Sequence, residues 1–551
     1  MLEDDAQWEA TLQEASTCKT ASRMRDLFAT MLACSCEIAD PLKLWDLFKK
    51  DFCDDILHRA RIAGGNMSMD YSEAIFNLGL IALEEKVLDL GGQFLQNYGL
   101  PVPNRENGEG ELSREVLRER SYDIEELHRI TTRDEQKLLQ EQREAYNTVL
   151  ESVNNRQGSI FFLDAPGGTG KTFVTSLLLA KIRQQNKIAL AVASTGIASC
   201  LLPGGRTAHA MFKLPLDLST KEAPTCNIAK GSGLAEVLKQ TSLIVWDECT
   251  MTHKAAFEAV DRTLRDLRNH GLLMGGITVV LSGDFRQCLP VIQRGTAADE
   301  LRACLKASRE IWSQVKQLKL TKNMRAELFG DADAEEFSKN LLTLGDGKVK
   351  AGKDGLINMN TISTCVENED DLKDRVFPNI STHYKNHEWL AERAILAPKN
   401  VTVSKINHEL MAKVPERPHV YKSVDTVVDD TEAVDYPVEF LHSLEPPGTP
   451  PHNLTLKVGA PIMLLRNMDP PKLCNGTKLV VKNLMAHVIE ATILTAGPSK
   501  GEDVFIPRIP MIPTDLPFKF KRLQFPVRPC FAMTINKSQG EISLHLSLYF
   551  L

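Results

Sequence analysis

The string Ala165-Pro166-Gly167-Gly168-Thr169-Gly170-Lys171-Thr172 constrains this chain more than any other part of it. It stands between a short apolar run, SIFFLD, and a stretch whose apolar residues recur at helical spacing. Strand, glycine loop and helix together are the setting in which a Gly-Lys-Thr string binds nucleotide phosphates. Glycines let backbone N–H groups converge on phosphate oxygens, and the start of the helix adds its partial positive charge. Lys171 is placed to reach the β- and γ-phosphates, and Thr172 to ligate Mg2+. Ala165 stands where the usual first glycine would be, a departure that asks only for a small side chain.

Two later runs complete a chemistry. Ser242-Leu-Ile-Val-Trp-Asp247-Glu248 is a buried-strand pattern ending in two carboxylates. Asp247 at such a strand end can hold Mg2+ directly or through water. Glu248 beside it can orient and deprotonate an attacking water. A third run, Thr278 to Gly283, ends in Asp284-Phe285-Arg286-Gln287; Gln287 is placed to sense a γ-phosphate and Asp284 to support metal-bound water. These three strand ends predict hydrolysis of a nucleoside triphosphate.

Around them, aliphatic runs (SIFFLDA, KIALAVAS, SLIVWDE, ITVVLSGD) alternate with amphipathic helices, which predicts an α/β fold with a parallel sheet covered on both faces. At 551 residues the chain has room for about three or four domains. Its 43% hydrophobic and 25% charged residues exclude wholesale disorder, a collagen-like fibre and a small secreted scaffold. A net charge of −7 neither advertises nor forbids nucleic acid, because a local basic groove can sit in an acidic chain. Twelve cysteines without a C-x-x-C pair predict reduced, mostly buried thiols. The N-terminus MLEDDAQWEA is unlike a signal peptide, and no apolar run nears the ~18 residues of a membrane span, so a soluble, intracellular protein is expected.

The order of patterns predicts a helical N-terminal region over 1–98, a Pro/Gly-rich linker over 99–121 and the nucleotide-binding domain over 122–325. Beyond these, a mixed region over 326–454 leads to short strands with turn signals over 455–528, read as a small β-barrel. Residues 529–551 close the chain.

The strings LDAPGGTGKT, ASTGIASCLLPGGRTAHAMF, IVWDE, GGITVVLSGDFRQCLPV, LTKNMR and FAMTINKSQG occur in the order found in the petite-integration-frequency (PIF) helicases, B-type superfamily-one DNA helicases. LLPGGRTAHAMFKLP, LRNMDPPKLCNGTKL, VFIPRIP and LQFPVRPCFAMTINKSQG resemble the Helitron-transposon branch. The resemblance implies a P-loop NTPase with two RecA-like domains and an SH3-like barrel inserted in the second, here 455–528. It implies ATP and Mg2+ as cofactors and 5′-to-3′ translocation on single-stranded DNA. It further implies forked DNA as a partner, nuclear residence, and work in repair, recombination, telomere maintenance or transposition; no membrane partner is expected, and the oligomeric state stays open, with a monomer the leading reading. By the same resemblance, Gln142 reads adenine, and Thr195, Gly196, Thr207 and His209 contact the DNA backbone. Phe212 is open to two readings, stacking a base or, as is commoner for a lone Phe after a glycine turn, joining the core; Arg325 reaches the γ-phosphate. Thr534, Lys537, Ser538, Gln539 and Gly540 link the second domain to DNA and nucleotide.

One departure stands out. In the family a strand and a second arginine motif follow TINKSQG, whereas here the chain runs Glu541 to Leu551, with Ile542, Leu544, Leu546 and Leu548 alternating as one further strand. The expectation is a truncated second sheet lacking one transition-state arginine. Two alternatives to a motor therefore stay open: an ATP- and DNA-binding remnant that does not unwind, and a P-loop ATPase with no nucleic-acid role.

Overall fold

The computed structural model describes residues 5–17, 20–34, 36–104, 111–215, 218, 223–292, 295–324, 332–352, 355–361, 363–366, 368–428, 436–497, 499–513, 516, 518–538 and 545–548. The chain forms two units, Gly108–Glu367 and, discontinuous in sequence, Met1–Asn107 with Asn368–Leu551. The unit holding the nucleotide loop thus continues past the expected boundary at 325.

In Gly108–Glu367, six parallel strands form one sheet. They are β1 (Ile160–Asp164), β2 (Ile188–Ala193), β3 (Arg206–Thr207), β4 (Thr241–Asp247), β5 (Thr278–Gly283) and β6 (Val315–Lys319), side by side in the order β3-β2-β4-β5-β1-β6. Alternate residues of each central strand enter two different cores. Ile160, Phe162, Leu190, Ile244, Trp246 and Leu281 join one, while Phe161, Leu163, Ala191, Leu243, Val245 and Val280 join the other. This period-two division explains why the strands read as unbroken apolar runs: both faces are covered. The register sets Asp164 beside Gly283 and Ala193 beside Asp247, so the loops that follow these strands emerge at one edge.

The expected linker 99–121 contains a helix, Glu111–Arg118, followed by residues that anchor another loop. Glu119 accepts from Arg206 Nη2 at 2.8 Å, and Tyr122 lies 4.2 Å beneath the buried Arg183 guanidinium. Arg183 in turn donates to Pro203 O at 2.7 Å, just before Gly204-Gly205-Arg206.

In the other unit, residues 1–98 are helical as expected, with helices Ala6–Ser16, Ala21–Ala33, Pro41–Gly64 and Glu73–Asp89. Local chemistry fixes the longest: Asp40 caps it by accepting from Lys43 N at 2.9 Å, Pro41 opens it, and Gly65 ends it at φ 62°. These helices do not close on themselves. Leu83, Phe28 and Phe52 share a core with Val488, Phe505, Ile509 and Leu523 of an antiparallel body. Lys86 pairs with Asp469 at 2.7 Å across the same contact, and Lys521 with Glu37 at 2.7 Å.

That body contains a five-stranded sheet in the order Asp503–Pro507, Val488–Ile493, Lys478–Leu484, Pro461–Leu464, Val527–Pro529. Strands His419–Lys422 and Val424–Val427 pair with Asn453–Leu456 and Phe520–Gln524, so antiparallel structure begins well before the expected 455. Arg522, wholly buried, donates to both oxygens of Asp425 and to the carbonyls of Leu441, Leu444 and Pro450. A small parallel sheet completes the unit, with Arg393–Ala397 between Ala532–Thr534 and His545–Leu548. The tail therefore supplies a strand, while Ile542 and Leu544 lie outside the described residues. None of the described cysteines is in a disulfide, and no described helix is long and apolar enough to cross a membrane.

Candidate functional site

The glycine loop leaves β1 and enters the helix Lys171–Gln184. Gly170 takes φ 86°, and a Cβ there would stand 2.6 Å from Gln142 Nε2. Gly167, by contrast, faces open space, as a backbone cradle for an incoming group requires. Thr169, 1% exposed, ties the loop together by donating to Pro166 O at 2.8 Å.

The two carboxylates of β4 differ in their partners. Asp247 Oδ1 accepts from Ser282 Oγ of β5 and from Glu248 N at 3.0 Å, so its position is fixed by the neighbouring strand end. Glu248 sits in the left-handed region at φ 47°, a strained conformation for a residue with a side chain, of the kind that collects at functional sites. Its Oε1 lies 3.6 Å from Lys171 Nζ, and its Oε2 is buried with no partner at all. Burial pushes the Glu248 carboxyl up from its ordinary value, and Lys171 pulls it part of the way back. Gly283, at the end of β5, packs against the turn that follows Glu248; a Cβ there would meet Thr250 Cγ2 at 2.9 Å.

Beyond β5, Asp284 is buried, and its Oδ1 accepts from Arg286 N at 3.0 Å and Nη1 at 3.1 Å. Arg286 also donates its Nε to Asp346 Oδ1 at 2.6 Å and lies 3.8 Å from Asp164, the last residue before the loop. Gln287, half-buried, follows directly, its N–H bonded to Asp284 O.

Gln142 is buried and spans from the start of its helix, where its Oε1 accepts from Leu139 N, to Thr169 O, which its Nε2 reaches at 3.0 Å. It lines an open pocket of about 250 Å3 with Leu139, Glu141, Thr169, Leu320 and Lys322. The segment after β6 is pinned by Glu141, which accepts from Thr321 N and Oγ1 at 2.7 and 2.6 Å. Asn323 and Met324 then run along the glycine loop, Met324 N donating to Gly168 O at 2.8 Å. Arg325 lies outside the described residues. Glu141, Thr321, Asn323, Arg286 and Asp346 were not singled out from the sequence; the string LTKNMR drew attention only to its arginine.

Residues expected on DNA fall in both units. Thr195 follows β2 and Thr207 ends β3, and each caps a short helix, accepting from Ala198 N and Ala210 N. Gly196 is buried in the first of these turns, and His209 is exposed in the second. Phe212 corrects an expectation: at 1% exposure, stacked 5.5 Å from Trp246, it belongs to the sheet's core and has no face for a base. In the other unit Thr534 is half-buried at a strand end. Lys537 donates to Asn475 Oδ1 at 2.7 Å, and Ser538 caps its own turn through Ile535 O. Gln539 and Gly540 lie outside the described residues. A further grouping, Asp425 with His442 and His452, brings metal-type donors together, but Asp425 is already saturated by Arg522 and Ser423.

The donor set fits a nucleotide with a divalent cation: an open backbone cradle, a lysine on the following helix, a fixed carboxylate, and a second carboxylate with an unspent oxygen. Comparison with known proteins finds helicases. Residues 137–355 match the family model of the PIF1-like helicase, and 439–484 match that of the DNA helicase Pif1 2B domain. The ATP-dependent DNA helicase Pif1 of Psychrobacter sp. is 24% identical over 58% of this chain and 44% of its own length. That of Bdellovibrio bacteriovorus is 25% identical over 70% of this chain and 77% of its own. The chain thus spans less than half of the first relative's length and about three quarters of the second's. Among solved structures, the Pif1 helicase from Candida albicans shares the fold, with TM-score 0.51 and 19% identity over 75% of this chain and 95% of that one.

Proposed function

The chain belongs to the PIF1-like helicase family, and from that premise we propose that it is an ATP-dependent DNA helicase that translocates 5′ to 3′ on single-stranded DNA. The observation that carries this reading is the meeting of Lys171, Asp247 and Glu248 at the strand ends, with Glu248 Oε2 buried and unpartnered.

In this reading adenine enters the pocket beside Gln142 and the phosphates enter the Gly167–Gly170 cradle. Lys171 exchanges its Glu248 partner for phosphate oxygens. That exchange removes the cation that lowers the Glu248 carboxyl and frees both of its oxygens to orient and deprotonate water. Base strength is thus switched on by substrate itself. Thr172 and Asp247 are the residues that would hold Mg2+, which when bound neutralises charge on the phosphates. Gln287 reads the γ-phosphate, and Arg286 holds its strand end to Asp164 and Asp346. Arg325 completes the site from the segment that Met324 anchors.

Single-stranded DNA is assigned to the loops of Thr195, Gly196, Thr207 and His209 and to Thr534, Lys537, Ser538 and Gln539. Short hydroxyl, imidazole and ammonium donors suit backbone phosphates and carry no sequence preference. The biological settings this activity serves are nuclear repair, recombination, telomere maintenance or transposition. Steady-state ATP hydrolysis titrated with single-stranded DNA, beside Lys171→Ala, tests the reading. Turnover that rises with DNA and vanishes in the variant is expected. Turnover indifferent to DNA overturns the motor, and nucleotide binding without turnover leaves a non-hydrolysing remnant.

A further inference from the structure

The segment that continues β6 lies alongside the glycine loop from Leu320 to Met324. Leu320 N donates to Asp164 O at 3.0 Å and Met324 N to Gly168 O at 2.8 Å, so positions 320–324 run beside 164–168. Asn323 Nδ2 adds a longer bond to Gly167 O, 3.4 Å, and a shorter one to Ser338 Oγ, 2.7 Å. Leu320 and Lys322 line the pocket beside Gln142, while Thr321 between them turns to Glu141. One short segment thus borders both the place for a base and the place for phosphates.

Glu141 and Gln142 are consecutive in the first turn of the helix Gln140–Asn154, about 100° apart around its axis. They therefore reach different neighbours. Gln142 Nε2 bonds Thr169 O in the glycine loop, and each Glu141 oxygen takes one bond from Thr321, Oε1 from the hydroxyl and Oε2 from the N–H. Those bonds hold the Glu141 carboxyl below its ordinary value, so at neutral pH it is an ionised acceptor, the strong kind. Together the bonds close a ring. It runs from Gln142 to Thr169, along the loop to Gly168, across to Met324, back along the segment to Thr321, and through Glu141 to Gln142 again. A closed ring fixes the spacing between base pocket and phosphate cradle, and the Glu141 bonds are the link at which it would open.

We propose that Glu141 is a positioning residue for hydrolysis, which holds the base pocket at a fixed distance from the phosphate cradle so that a bound base aligns the phosphates. The inference rests on the nucleotide-hydrolysing reading above and goes beyond it, because it gives the base a part in turnover as well as in binding. Both Glu141 oxygens are engaged by Thr321, so the residue acts through that segment and not on the base itself. A misplacement of about 1 Å can cost a hundredfold in rate, so a looser ring reads out in kcat.

The test compares steady-state hydrolysis, by the full chain with single-stranded DNA present, of ATP and of ribose 5′-triphosphate, which has the phosphates and lacks the base. The wild-type chain should turn over ATP faster, and the ratio of the two kcat values measures what the base adds. Glu141→Ala is expected to lower that ratio about tenfold through kcat for ATP, with KM for ATP changed by less than about twofold. Glu141→Gln keeps one acceptor oxygen and should fall between alanine and wild type. Thr321→Val removes only the hydroxyl bond and should move the ratio in the same direction with little risk to folding, which thermal melting of each variant checks. An equal loss on both substrates, leaving the ratio unchanged, overturns the inference and leaves Glu141 a structural bond. A raised KM for ATP at unchanged kcat overturns it in favour of uniform base binding. Equal turnover of both substrates by the wild-type chain overturns it while the hydrolase reading stands. Failure of the wild-type chain to hydrolyse either one overturns that reading itself.

Discussion

In the unit with the glycine loop, Lys171 leans on Glu248 at 3.6 Å and Arg286 is divided among Asp284, Asp346 and Asp164. In the other unit, among the described residues, Arg466, Arg528 and Lys537 have no carboxylate within ion-pair distance, although Arg522 is paired with Asp425. The same residue types are thus kept in two ways. At the nucleotide site Lys171 has an internal partner that the ligand must displace, so binding there is coupled to a rearrangement of acids. The Lys537 ammonium is held instead by an uncharged acceptor, Asn475 Oδ1, at 2.7 Å.

The contrast breaks most visibly at Lys171. Lys171→Ala should lower ATP turnover roughly a thousandfold, as loss of a preorganised charge at a transferring phosphoryl group does, measured as kcat. Asp425→Ala tests the wholly buried Arg522 of the second unit. It leaves Arg522 buried and unpaired, and should lower unfolding free energy by about 3–5 kcal/mol in denaturant titration. A smaller effect is expected from Phe212→Leu, about 1–1.5 kcal/mol of stability, with affinity for single-stranded DNA unchanged in the folded protein. Weakened DNA binding there would return the ring to a stacking role.

The smallest effect is a pH dependence. Glu248 binds its proton more tightly folded than unfolded, so the nucleotide-free protein should lose stability as pH rises from 4.5 through the raised folded value. Glu248→Gln should flatten that segment of a Tm-against-pH curve. The acid limb of turnover in the wild-type chain should lie above 4.5 for the same reason.

How much of this was legible depends on how far apart the partners are in sequence. The glycine loop, Asp247 and Glu248 are each announced by a strand ending in the right residues, and the register of one sheet brings them together. The alternation of Phe161, Phe162 and Leu163 between two cores was legible as a strand covered on both sides. Phe212 was not, because a single aromatic after a turn carries no period to say which way it faces. The Arg286–Asp346 pair joins residues sixty positions apart on a strand end and a helix end, and neither motif contains the other. For the N-terminal helices, the spacing of Leu80, Leu83 and Val87 announced an apolar face, but nothing local said that Val488 and Phe505 would cover it.

That covering also orders events in time. The helices of residues 6–89 leave the ribosome ahead of the nucleotide-binding unit, yet the strands that complete their core begin some four hundred residues later, after the whole of that unit has been synthesised. Their apolar faces must stay open while the intervening unit folds, a delay that invites chaperone capture. Translation speed through residues 108–367 therefore bears on the yield of a unit to which those residues contribute no core.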